Sequence, residues 1–266
     1  MRRFLVACGL VACGCGGTPT SPTSLPAIGE QSPAAAFRGL VTETLTGAPV
    51  IGFTALVSGG RVTVTAPGYV TRETRADAPI VDLIREAGFN LAFYRQLTRG
   101  ALTGNLRPLR LLSRNVSIYL QTRGLDAATV TALERTARSI VPAMTGGRLT
   151  VAAWDTGEEA RARAVGWLTV ALINSLSGPC GQTDIGASVG AMDINTAPQC
   201  LVGGRVHTGL FAHELGHALG FDHVSGAEHM MNVTGLWAVT GPSALERHHA
   251  ALAYARPSGN RDVDRD

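Results

Sequence analysis

Hydrophobic and polar positions alternate between Phe37 and about Arg75, most clearly in Arg61-Val62-Thr63-Val64-Thr65. The alternation is cut by Thr46-Gly47-Ala48-Pro49, Ser58-Gly59-Gly60 and Ala66-Pro67-Gly68-Tyr69. A period of two broken by Gly and Pro predicts short strands joined by turns, so residues 37–78 are expected to form a small β unit. Residues 79–107 read as a mixed connector. A new pattern then begins: Val116-Ser117-Ile118-Tyr119-Leu120 alternates as a strand, and Asp126 can cap a helix carrying Val130, Leu133, Ala137 and Ile140 at three- or four-residue spacing, which Pro142 and Gly146-Gly147 should stop. Further strands are expected over Arg148 to Trp154 and Met192 to Asn195, a helix from about Thr208 to Leu219, and a last helix from about Ser243 to Ala255. This order predicts an α+β domain over residues 108–256, followed by a flexible tail at 257–266. No internal repeat is evident.

The N-terminus changes the picture from a bare domain to an exported one. Arg2 and Arg3 precede an apolar run from Phe4 to Ala12, too short to span a membrane and patterned as a secretory signal over residues 1–12. Leu10-Val11-Ala12-Cys13 resembles the bacterial lipobox, which implies a lipid-modified Cys13 and attachment to a cell-envelope membrane, the outer membrane in a Gram-negative cell. Residues 13–36, rich in Pro, Ser, Thr and Gly and without periodicity, read as the tether. Two cysteines remain in the folded body, Cys180 and Cys200, and a pair in an oxidising compartment reads first as a disulfide. Cys180-Gly181-Gln182-Thr183-Asp184 also bears a faint resemblance to the cysteine switch of matrixin proenzymes, which would need a free thiol. The 23 basic residues are all Arg and are scattered, which excludes a nucleic-acid stripe. A monomer is expected.

The chemistry is concentrated in His213-Glu214-Leu215-Gly216-His217-Ala218-Leu219-Gly220-Phe221-Asp222-His223. Residues four apart share a helix face, so His213 and His217 can present imidazoles to one metal ion. Gly220 tolerates positive φ and can end the helix, which lets the chain bring His223 round as a third ligand. Three neutral imidazoles suit zinc and leave a coordination position open. Glu214 lies beside the ligands without being one, placed to act as a general base on water. With 7 His, 10 Glu and 32 Gly in 266 residues, chance would give the five fixed positions with odds of about two in a hundred thousand.

These eleven residues resemble the metzincin zinc signature, and AHELGHALGFDH is most similar to its matrixin branch. Met231, eight residues after His223, matches the spacing of the methionine turn that metzincins place beneath the metal, with Met230 as its neighbour. The resemblance implies a metzincin-like zinc endopeptidase domain acting on peptide or protein substrates, with one catalytic Zn2+ held by His213, His217 and His223, Glu214 as catalytic base and Met231 as structural turn. Matrixins usually carry Ser where this chain has Val224, and Val233 stands where astacin-like enzymes place a tyrosine ligand. The long loop that carries calcium in animal matrixins has no clear counterpart, so calcium (Ca2+) is left without ligands; Asp262, Asp264 and Asp266 read as a frayed end. TGAPV and APGY resemble pieces of β-sandwich repeats found beside secreted bacterial peptidases, implying a spacer or adhesive role for the β unit. His207 and His229 are expected at the surface, and His248 and His249 on the last helix read the same way, with packing of one of them near the metal helix as the alternative. Two other classes remain open: a surface-binding protein that holds zinc without turnover, and a small-molecule metallohydrolase.

Overall fold

The computed structural model describes residues 36–104, 106–186, 190–234, 238–261 and 263. The signal region, Cys13 and nearly all of the tether lie outside the described residues, as do Asp262, Asp264 and Asp266. Residues from Ala35 onward make one compact unit with mixed sheets and helices, an α+β fold.

The N-terminal β unit contains β1 (Leu40–Glu43), β2 (Thr54–Ser58), β3 (Arg61–Thr65), β4 (Arg72–Arg75) and β5 (Ile80–Leu83). Strands β2, β3 and β4 form an antiparallel sheet, whereas β1 pairs in parallel with β5. Its small core is Val41, Val50, Val62, Val64, Val81 and Leu83. The β pattern therefore runs past residue 78, because Ile80-Val81-Asp82-Leu83 is the partner that β1 needs. The segment read as connector also holds helix α1 (Leu91–Arg99). The Asn90 side chain caps it by accepting from Phe93 N–H, Gly100 ends it in the left-handed region, and Phe93, Tyr94 and Leu97 form its buried stripe. Nine residues give too few turns for a helical period to stand out.

The main sheet comprises β6 (Val116–Gln121), β7 (Val151–Gly157), β8 (Trp167–Ile173), β9 (Gly181–Thr183) and β10 (Gly190–Asn195), in the order β7-β6-β8-β10-β9. All neighbours are parallel except β9, which runs antiparallel to β10 at the edge. Between β6 and β7, helix α2 (Ala127–Met144) supplies the crossover that a parallel pair requires. Leu133, Ala137, Ile140, Val141 and Met144 are its buried face. Pro142 lies inside the last turn rather than stopping the helix. At that depth its missing N–H forfeits a single ladder bond, and its carbonyl accepts from Thr145 and Gly147 at the exit. Strand β8 has no counterpart among the expected elements: in Trp-Leu-Thr-Val-Ala-Leu-Ile the successive residues Leu168, Thr169 and Val170 are all buried, so both faces are covered, and a strand apolar on both faces carries no period of two. A two-strand ribbon, β11 (Leu201–Val202) with β12 (Arg205–Val206), leads into α3 (Thr208–Leu219), and α4 (Ala244–Tyr254) closes the chain. Among the described residues no helix is long and apolar enough to cross a membrane.

Cys180 and Cys200 are joined in a disulfide with a Cα separation of 5.2 Å. The bridge ties the start of edge strand β9 to the turn ahead of β11, and leaves no free thiol at Cys180 to act as a switch. Closing a loop across 20 residues restricts the unfolded chain. The double variant Cys180→Ala/Cys200→Ala is accordingly expected to lose about 3 kcal/mol in denaturant unfolding. An unchanged midpoint at unchanged slope would show that the bridge contributes nothing.

Candidate metal centre

Helix α3 is enclosed along nearly its whole length: every residue from Gly209 to Leu219 is buried. His207 does not lie idle at the surface but caps the helix, its Nδ1 accepting from Gly209 N–H at 3.1 Å. At the other end Gly220 has φ 111°, and a Cβ built on it would lie 2.1 Å from the Arg110 carbonyl oxygen. Both the conformation and the space demand glycine. The sharp exit that follows is pinned by Asp222, whose N–H donates to the Leu97 carbonyl at 2.7 Å and whose carboxylate pairs with Arg107. His223 is thereby carried back towards the helix.

The three imidazoles converge. The Nε2 atom of His223 stands 3.2 Å from Nε2 of both His213 and His217, and all three ligand atoms lie within 4.8 Å of one another. On the far side of two rings, Nδ1 of His213 meets the Met230 carbonyl at 2.8 Å and Nδ1 of His217 meets the Phe221 carbonyl at 2.7 Å. A carbonyl can only accept, so these Nδ1 atoms carry the protons and the Nε2 lone pairs point inward. Lone pairs facing one another at this distance repel unless a cation lies between them. Tetrahedral zinc with Zn–N bonds of about 2.0–2.1 Å separates its ligands by roughly 3.3 Å, so the donor type, the tautomers of His213 and His217 and the two 3.2 Å separations to His223 fit the ion. Burial pushes all three imidazole pKa values down, that of His217 to about 3, which keeps the rings neutral and available as ligands.

Glu214 projects from the same helix and is 4% exposed. Burial pushes its carboxyl up to about 7, while the Thr183 hydroxyl, donating to Oε2 at 2.7 Å, pulls the other way. Beneath the site, the Met231 sulfur lies so close to α3 that a Cβ on Gly216 would come within 2.3 Å of it. Val224 is fully buried and closes this loop: its N–H donates to the Met231 carbonyl at 2.8 Å, and its own carbonyl accepts from Val233 N–H at 3.2 Å.

Several residues that hold the site together went unread in the sequence. Glu246, fully buried on α4, accepts from Met230 N–H at 3.1 Å, Met231 N–H at 2.8 Å and Ser243 N–H at 2.7 Å. Its carboxylate thus grips the loop whose Met230 carbonyl orients His213. A signal was present, since Ser243-Ala244-Leu245-Glu246 spells a capping box, and that box forms. His229, expected at the surface, is buried with Nδ1 2.9 Å from the Ser243 hydroxyl and its ring edge-on to Phe93. His249 packs towards α1 instead of the metal helix. Its Nε2 accepts from Asn90 N–H at 2.9 Å and its Nδ1 donates to the Leu245 carbonyl at 2.8 Å. No second cluster of three or more His, Cys, Asp or Glu able to hold a metal is found among the described residues.

Fold and site together define an α+β protein with a three-histidine centre, buried at His213 and His217 and partly open at His223, able to hold a metal such as zinc. No protein-family model matches the chain, and no curated relative is found. Among solved structures the chain is similar to the crystal structure of metalloproteinase-II from Bacteroides fragilis, with 11% sequence identity, a TM-score of 0.37, and coverage of 82% of this chain and 85% of that one.

Proposed function

We propose that this protein is a zinc-dependent endopeptidase of metzincin, matrixin-like type. The observation that carries the reading is the convergence of three imidazoles, with His223 Nε2 3.2 Å from Nε2 of both His213 and His217, beside a buried carboxylate that is not itself one of the three ligands. When bound, zinc supplies Lewis acidity, which polarises a carbonyl and makes a neighbouring water more acidic. His213, His217 and His223 hold the ion through Nε2, with the tautomers of the first two fixed by Met230 and Phe221. Glu214 accepts a proton from the attacking water and returns it to the leaving amine as the C–N bond breaks. The envelope around α3 keeps bulk water from competing for that carboxylate. Incubation of the purified chain with a broad peptide library is expected to give cleavage that stops on chelation and returns with added zinc. Zinc bound with no peptide cleaved would favour a binding protein instead.

The compartment is part of the same proposal. The lipobox-like Leu10 to Cys13, the Pro- and Ser-rich tether and the disulfide support export and anchoring to an envelope membrane through a lipid on Cys13, with extracellular or envelope proteins as substrates, no nucleic-acid partner and a monomeric chain. Expressed in a bacterium, the protein should take up labelled fatty acid and Cys13→Ala should not. Equal labelling of the two would remove the anchor from Cys13.

A further inference from the structure

Glu214 is held from outside its own helix. Edge strand β9 runs beside α3, and its residues alternate between two sides: Gln182 is exposed, while Gly181 and Thr183, two apart, share the face towards Glu214. Thr183 donates its hydroxyl hydrogen to Oε2 at 2.7 Å. At Gly181 the carboxylate fills the place where a side chain would stand: a Cβ there would lie 2.3 Å from Oε1 and 2.5 Å from Cδ. One neighbour therefore binds one carboxylate oxygen, and the other leaves room for the second. The strand itself is pinned twice, by its antiparallel register with β10, in which Thr183 pairs with Met192 and Gly181 with Ile194, and by the Cys180–Cys200 bridge at its start.

We propose that β9 is the positioning element for the general base, with Thr183 as a positioning residue that occupies Oε2 and so dedicates Oε1 to the reacting water, and Gly181 as the space that permits this rotamer. The inference rests on the peptidase reading given above. It assigns the disulfide a part in activity as well as stability, because the bridge fixes the residue immediately before the cradle. A carboxylate without the Thr183 bond rotates about its last side-chain torsion, whose wells are broad, and the productive orientation becomes one of several.

The test uses the full chain with Thr183→Val, which keeps shape and removes the hydroxyl, and Thr183→Ser, which restores it. Thr183→Val should bind zinc as wild type does, keep KM, and lower kcat by about tenfold, in line with loss of one hydrogen bond to a charged group; Thr183→Ser should recover kcat to within about twofold. A second readout needs neither metal nor substrate. In urea unfolding of the metal-free chain, Thr183→Val should lower the midpoint when Glu214 is present and leave it unchanged in a Glu214→Ala background, the non-additivity of a direct contact. Equal shifts in the two backgrounds, or a Thr183→Val enzyme with wild-type kcat, would overturn the proposal. Non-additive unfolding in a chain that cleaves no peptide would overturn the catalytic role while leaving the contact in place, and so separates failure of the peptidase reading from failure of the cradle.

Discussion

Glu214→Gln is expected to retain about one zinc per chain and to hydrolyse peptides at least ~10²-fold more slowly than wild type, the lower end for loss of a general base. Glutamine has the shape of glutamate, and its amide oxygen can still accept from Thr183, so neither the helix nor the cradle is disturbed. The three imidazoles able to hold the metal are not touched by the substitution. What disappears is the capacity to take a proton from water and hand it on. A second, opposite effect should accompany the loss. Burial pushes the Glu214 carboxyl of the metal-free fold up to about 7, above its ordinary value of 4.5, so ionising it costs stability as pH rises from about 4.5 to 7, with the full cost present above that window. Glutamine removes this cost, and the metal-free variant should unfold at higher denaturant than wild type at pH 8, with the difference vanishing near pH 4. Wild-type turnover by Glu214→Gln at full zinc occupancy would sink the assigned mechanism.

His217→Ala should lose zinc and activity together. His217 is 8% exposed, and its Nδ1–H is committed to the Phe221 carbonyl at 2.7 Å in the turn that carries His223. Its removal deletes one ligand and frees the anchor of another, so zinc affinity should fall by more than the ~10–100-fold that loss of a supporting hydrogen-bond partner costs. Zinc content after dialysis and peptide cleavage measured on the same samples check this, with helicity by circular dichroism reporting whether α3 persists. Stoichiometric zinc and intact activity in a folded His217→Ala protein would show that His213, His217 and His223 are not the ligand set.

These expectations rest on two kinds of information. Local spacing in the chain was sufficient for the helices and residues whose logic lies within one or two turns: α3 from Thr208 to Leu219, the i, i+4 pair His213 and His217, the glycine exit at Gly220, and the apolar stripe of α2 through Leu133, Ala137 and Ile140. Such features repeat every three or four residues, and physics acting between near neighbours writes them directly into the order of residues. The two body cysteines were also readable, because only one intramolecular pairing was possible once export was inferred.

The environment of the catalytic groups was decided by tertiary structure. Thr183 reaches Glu214 across 31 residues, Glu246 reaches Met230 and Met231 across 16 and 15, and Asn90 meets His249 across 159. No periodicity links such pairs. Strand β8 shows why the pattern falls silent in the middle of a sheet: burial of both faces removes the alternation of apolar and polar residues. The parallel union of β1 with β5 joins segments forty residues apart, and the short α1 between the two regions is set by its caps more than by its period. The sequence alone thus determined which side chains could hold a metal. The fold determined which oxygen of Glu214 accepts from Thr183, which tautomer His213 adopts and what holds the methionine loop in place, because these depend on partners that only long-range packing brings within hydrogen-bond reach.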